Sequence, residues 1–165
     1  MSPFLRTVLF TIVAPGFWTI LLPYWVLHRE VSSAWRRLTF VALSGLLLMT
    51  WGALLYFACA FWGFALRGSG TPAPIDPPKK LVVGGPYRVV RNPMYWSVFF
   101  VMAGEALLFS SATLGEWAAG FLVGSAIFVL LYEEPALRRK FGTEYEEYCR
   151  RVGRWLPRLK RTYTL

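Results

Sequence analysis

The sequence predicts an all-α polytopic membrane protein, with about four transmembrane helices and a C-terminal amphipathic helix on the cytosolic side. Three observations predict it. The 165 residues are 56% hydrophobic and 18% aromatic, a composition unlike that of a disordered chain or a soluble domain. Apolar stretches long enough to cross a hydrocarbon core of about 30 Å recur along the chain. The net charge of +9 sits in basic residues that flank those stretches, so a membrane surface accounts for it better than nucleic acid does. The whole chain, 1–165, reads as one integral-membrane domain.

The first span runs from Phe4 to Leu27. Pro15-Gly16 and Pro23 should kink it. Only Arg6 precedes the apolar run and no small-residue cleavage pattern follows it, which favours a membrane helix over a signal peptide. A polar connector, His28 to Arg37, carries Trp35 as an interfacial anchor. The second span, Leu38 to Leu66, has no charged residue and is longer than a crossing needs. Arg67 closes it. From Gly68 to Pro78 the glycines and Pro72, Pro74, Pro77 and Pro78 mark an extended linker inside a cytosolic loop, 67–92.

Gly84-Gly85-Pro86 is a turn signal. Asn92-Pro93 is a helix-start signal: an Asn side chain caps free N–H groups, and proline loses nothing at the first helical position. The third span is short, 93–109. Ser110-Ser111-Ala112 is a tight turn, and Thr113 with Glu116 matches a capping box for the fourth span, 117–132. These two spans form an antiparallel hairpin. Glu105 lies within the third span, where a carboxylate is expected to be paired or functional. Pro135 should kink the following helix or start a new one. In the tail, 133–165, Phe141, Tyr145, Tyr148 and Val152 share one helical face, fit either to lie on the bilayer or to cover a cofactor.

Lysine and arginine counts give the orientation. The Arg67–Arg91 loop has five, the Arg138–Arg161 tail nine and the first connector three. The loop and tail are therefore expected on the cytoplasmic side of the cell (inner) membrane. His28 is the lone histidine, which leaves no His-based metal site, and Cys59 and Cys149 read as free thiols.

Three features should meet at the cytosolic face. Arg88 and Arg91 flank the N-terminus of the third span, which favours anions. Glu133 and Glu134 close the fourth span, where the plainest reading pairs Glu134 with Arg138 one turn on. The aromatic tail helix supplies a lid. Together they suit a zwitterion with a flat ring, such as S-adenosylmethionine. Arg91 and the helix start would take its carboxylate, and Glu133 or Glu134 its ammonium. Tyr87, Tyr95, Tyr145 or Tyr148 would stack on the ring or face the cation. Spacing alone admits many anionic cofactors.

Gly85-Pro86-Tyr87-Arg88 followed by Arg91-Asn92-Pro93-Met94-Tyr95 resembles the G-P-Y-R…R-H-P-x-Y signature of the isoprenylcysteine carboxyl methyltransferases and their phospholipid-methyltransferase relatives. Glu133-Glu134-Pro135-Ala136-Leu137, Phe141-Gly142, Tyr145, Tyr148 and Val152-Gly153-Arg154-Trp155-Leu156-Pro157 resemble the same family's ending. The resemblance covers Lys80 to Pro157. It implies an integral-membrane methyltransferase that uses S-adenosylmethionine. The implied site comprises Tyr87, Arg91, Asn92, Pro93, Tyr95, Glu133, Glu134, Tyr145, Tyr148 and Arg151, with Arg91 and Glu134 nearest the chemistry. Asn92 replaces the usual histidine, removing an imidazole base, and Ser97 replaces a usual glycine.

The expected acceptor is a lipophilic or prenylated molecule entering from the bilayer. The carboxylate of an isoprenylcysteine-like molecule comes first and a phospholipid amine second; an amine must lose a proton, and Glu105 or Glu134 would serve as base. Two other classes compete. Sterol reductases that use NADPH end similarly but are much longer, and a non-catalytic scaffold would have no use for the clustered Arg91, Glu133 and Glu134.

Overall fold

The computed structural model describes residues 3–30, 40–60 and 80–158. The expectations placed on Trp35, Arg67, the Gly68–Pro78 linker and the far end of the second span lie outside them. Seven helices are described: α1 Pro3–Gly16, α2 Leu22–Glu30, α3 Phe40–Phe57, α4 Pro93–Leu108, α5 Ala112–Phe128, α6 Glu134–Phe141 and α7 Thr143–Arg151. Among the described residues three continuous helical stretches are long and apolar enough to span a membrane, Thr7–Val26, Phe40–Ala60 and Ala112–Phe141. The fourth, α4, has 16 residues and reaches about 24 Å, short of a full hydrocarbon core. This is an all-α polytopic membrane protein.

The closest packing joins α3 and α4, which run antiparallel. Hydrophobic association cannot hold helices together in lipid, so close backbone approach must. Small residues permit it here. A Cβ on Gly52 would meet the Ser97 carbonyl at 2.7 Å, and one on Gly45 would meet the Gly104 carbonyl at 2.6 Å. Ser97, which departs from the family's glycine, is fully buried and fits because Gly52 faces it. Its hydroxyl turns back to the Met94 carbonyl.

Prolines bend the first and last long helices without breaking them. A wide π turn, Phe17–Leu21, joins α1 to α2, and another, Val129–Glu133, joins α5 to α6. In each the closing bond spans five residues, from the Leu22 N–H to the Phe17 carbonyl and from the Glu134 N–H to the Val129 carbonyl. Pro23 and Pro135 follow one residue later. A proline ring clashes with the carbonyl four residues back, and the wider turn relieves that clash. The helix that carries the fourth span therefore does not stop at Tyr132; it continues to Phe141 as one helical stretch of 30 residues, about 45 Å long.

Two helix starts differ from expectation. Ser111, not Thr113, caps α5, its hydroxyl accepting from the Leu114 N–H at 3.3 Å, because the helix already begins at Ala112. Asn92 occupies the cap position of α4, but its side chain does not cap. Its Nδ2 instead donates to the Arg154 carbonyl at 3.2 Å. The α6–α7 junction is Gly142, at φ 52°, a backbone angle that glycine adopts without strain.

Candidate active site

The motif loop folds as a short 3-10 turn, Gly85–Arg88, entered through Gly85 at φ 57°. It delivers Tyr87 inward, and burial pushes the Tyr87 phenol well above its ordinary pKa. The next residues run beside the C-terminal segment. The Arg91 N–H donates to the Gly153 carbonyl at 2.8 Å, and the Trp96 indole donates to the Trp155 carbonyl at 2.9 Å. With the Asn92 bond, these contacts stitch residues 153–155 onto the start of α4.

The aromatic face of α7 turns inward. Tyr145, Tyr148 and Val152 are buried against Leu81, Leu137 and Phe141, so α7 covers the loop rather than lying on the bilayer. The Tyr148 hydroxyl donates to the Tyr87 carbonyl at 2.7 Å. Burial raises the pKa of both tail tyrosines, which keeps them neutral.

This aromatic face borders a cavity of about 660 Å³. Its floor is polar: Tyr87, Arg91, Asn92, Tyr95, Glu133, Glu134, Tyr145 and Tyr148 line it. Its roof is apolar, built from Phe10, Ala14, Trp18, Phe121 and Phe128. Eight of the ten residues expected from the sequence meet here. Pro93 does not; it is fully buried at the first turn of α4 and positions the helix start. Arg151 does not either. It points outward and pairs with Glu147 on its own helix at 3.3 Å.

Arg154 instead bonds to the floor. It grips Glu134 with two guanidinium nitrogens, Nε to Oε1 at 2.7 Å and Nη2 to Oε2 at 2.8 Å. Arg91 adds a third contact to the same carboxylate at 3.1 Å. Glu134 therefore pairs with these two arginines and not with Arg138. The hydrogen bond to Glu134 raises the pKa of Arg154 further, so it stays cationic. Arg91 also donates to the Cys149 thiol, while its Nε is buried with no hydrogen-bond partner. Glu133 has a different environment: the Tyr95 hydroxyl donates to its Oε2 at 2.7 Å.

Nothing in the first span signalled a site, yet Phe10, Ala14 and Trp18 form part of the roof. Trp18 packs edge-on against Phe121 at 5.5 Å. Glu105 lies about two turns beyond Val98 on α4 and does not line the cavity; it is buried, with one carboxyl oxygen unpartnered. Among the described residues no cluster of metal-ligating side chains occurs.

Comparison with known proteins follows the same lines. The chain is 30% identical over 149 residues to a methanethiol S-methyltransferase of Pseudomonas deceptionensis, covering 84% of this chain and 55% of that protein. It thus spans about half the length of the curated relative it matches. No solved structure matches it significantly. The model of the family described as phospholipid methyltransferase matches residues 40–144, from the start of α3 to the beginning of α7, and the chain belongs to that family.

Proposed function

We propose that the protein transfers a methyl group from S-adenosylmethionine to a lipophilic acceptor that enters from the bilayer. The observation that carries this reading is a single cavity with a charged floor and an aromatic, apolar roof. The floor suits the cofactor. Two guanidinium groups face one carboxylate, leaving one surplus positive charge for the cofactor's carboxylate. The buried, unpartnered Arg91 Nε is a donor that such a carboxylate would satisfy. Glu133, with one tyrosine hydroxyl on it, is the acid left to meet the ammonium, because both oxygens of Glu134 are held by arginine. Tyr95, Tyr145 and Tyr148 offer ring faces.

Bound S-adenosylmethionine supplies a methyl group already activated by its sulfonium. What remains for the protein is alignment and exclusion of water. With Glu134 neutralised and Glu133 committed to the cofactor, the floor holds no uncommitted base. That favours an acceptor arriving already ionised. The carboxylate of an isoprenylcysteine-like molecule is the form the sequence favours. A phospholipid amine is the second reading, and it would need Glu133 to take its proton.

Single-turnover methyl transfer measured against pH separates the two. For a carboxylate acceptor the rate should stay nearly flat from about pH 6 to 9, because an ordinary carboxyl is ionised throughout. A steep climb over that range would reject the carboxylate. We place the site on the cytoplasmic face of the cell membrane. An impermeant maleimide applied to intact cells should therefore spare Cys149 until the membrane is opened. Labelling from outside would reverse the topology.

A further inference from the structure

A smaller annex of about 190 Å³ opens from the main cavity towards α3. The two share nine lining residues, among them the polar Tyr87, Arg91, Tyr95 and Glu133. Pro15, Tyr56, Met94 and Val98 line the annex alone. Its depth is apolar. The Tyr56 hydroxyl is already engaged with the Thr11 hydroxyl at 2.8 Å, so it makes no strong demand on a ligand. Four of its lining residues, Phe10, Ala14, Pro15 and Trp18, precede the part of the chain that matches the family model. The annex is therefore built partly from residues outside the stretch that the family model matches.

We propose that the annex is the acceptor subsite, and that it takes a short apolar body with an ionised nucleophile, a carboxylate or thiolate, held at its mouth. This rests on the methyl-transfer reading above, and within it replaces the prenyl-bearing carboxylate by a smaller acceptor. The mouth is the wall shared with the main cavity, so an anionic nucleophile there faces the bound cofactor, whose positive sulfonium offsets its charge. The body must lie inward, between Met94, Val98 and Tyr56. A cavity of 190 Å³ is somewhat larger than the roughly 150 Å³ apolar cavity that holds one benzene ring, so a single small ring fits it. A full prenyl tail exceeds that. In the transfer, the bond between methyl and sulfur breaks and its electron pair stays on sulfur. The new bond forms from the nucleophile's lone pair to the methyl carbon. The sulfonium charge and the acceptor charge cancel, and no proton moves.

The experiment compares thiophenol with 2-naphthalenethiol, which ionise alike and differ in the size of the ring body. Full-length protein in lipid nanodiscs is supplied with labelled S-adenosylmethionine, and S-adenosylhomocysteine binding is titrated in parallel. The wild type should favour thiophenol in kcat/KM by roughly tenfold or more, the discrimination that a tight apolar site achieves. Met94→Ala enlarges the annex and should erase most of that preference. Val98→Phe fills it and should lower kcat/KM for thiophenol by a similar factor. Neither residue lines the main cavity, so affinity for S-adenosylhomocysteine should not change. Equal use of the two thiols by the wild type overturns the subsite, as does transfer to neither. An acceptor preference that Met94→Ala leaves untouched overturns it too, even if Val98→Phe fails to fold. In all three cases intact S-adenosylhomocysteine binding leaves the methyltransferase reading standing. Failure of the wild type to bind S-adenosylhomocysteine would reject that reading itself.

Discussion

The two π turns are the same backbone device in different chemical surroundings. Each ends two residues before a proline, at Leu21 before Pro23 and at Glu133 before Pro135. Each reaches the cavity. The first turn brings Trp18 and carries no charge; the second ends on Glu133, beside Glu134. A π turn adds a residue to one turn of helix, so it re-aims side chains without exposing a break in the backbone to lipid. The first helix uses this to build an apolar roof. The last uses it to place two adjacent acids in separate partnerships, Glu133 with Tyr95 and Glu134 with Arg91 and Arg154. The local geometry is thus generic, and the side chains it aims decide what each end can bind.

The sharpest way to break this comparison is to remove the charges from the acidic turn. Glu134→Gln leaves Arg91, whose side chain is 9% exposed, without its carboxylate. An unpaired buried charge is strongly unfavourable, so both stability and cofactor affinity should fall. A charge-assisted hydrogen bond is worth about 1.5–3 kcal/mol, which corresponds to roughly tenfold to a hundredfold weaker binding of S-adenosylhomocysteine. Arg91→Ala should match it. Glu133→Gln should also weaken binding, towards the lower end of that range, but without loss of stability, since its partner is a neutral tyrosine. Isothermal titration and thermal unfolding of the three variants test this. Unchanged affinity in all three would sink the assignment of the floor to the cofactor.

Much of the fold was legible because hydropathy and length decide which segments cross a bilayer. The floor was legible because the motifs name its residues: Tyr87, Arg91, Asn92, Glu133 and Glu134 all line the cavity. Arg154 was missed for a definite reason. Helical spacing projected through the tail treats Arg151 and Arg154 alike. But α7 ends at Arg151, and Val152 is extended, at φ −119° and ψ 132°. That change of conformation sends Arg154 across to Glu134, twenty residues earlier in sequence. Asn92 was misjudged because an asparagine before Pro reads as a cap; tertiary pairing with the Arg154 carbonyl outweighs it. The roof was invisible because apolar residues in a membrane helix look the same whether they face lipid, a neighbour or a cavity. Phe10 and Trp18 carried no signal that distinguished them from Leu9 or Phe17, which are exposed.

The smallest expected effect comes from the prolines themselves, and it sharpens the comparison most directly. Replacing Pro135 by alanine restores an N–H and removes the ring that would clash with the Leu131 carbonyl in an ordinary α-helix. The wide turn is then free to tighten into ordinary α-helix. Losing its extra residue rotates everything before it by about 100° relative to α6. Glu134 is anchored by two arginines, so Glu133 is the acid that turns away from the cavity. Affinity for S-adenosylhomocysteine should then drop by roughly threefold to tenfold, about 0.7–1.4 kcal/mol. Stability should hold or rise, because alanine is the better helix former. Pro23→Ala makes the same backbone change at the apolar turn. It should re-aim Trp18 and alter acceptor use while leaving S-adenosylhomocysteine affinity as it was, since no charged residue lies in that turn. Matched titrations of the two variants decide the matter. Equal losses of cofactor affinity would mean that the turns act only through overall helix bending and not through the side chains they aim.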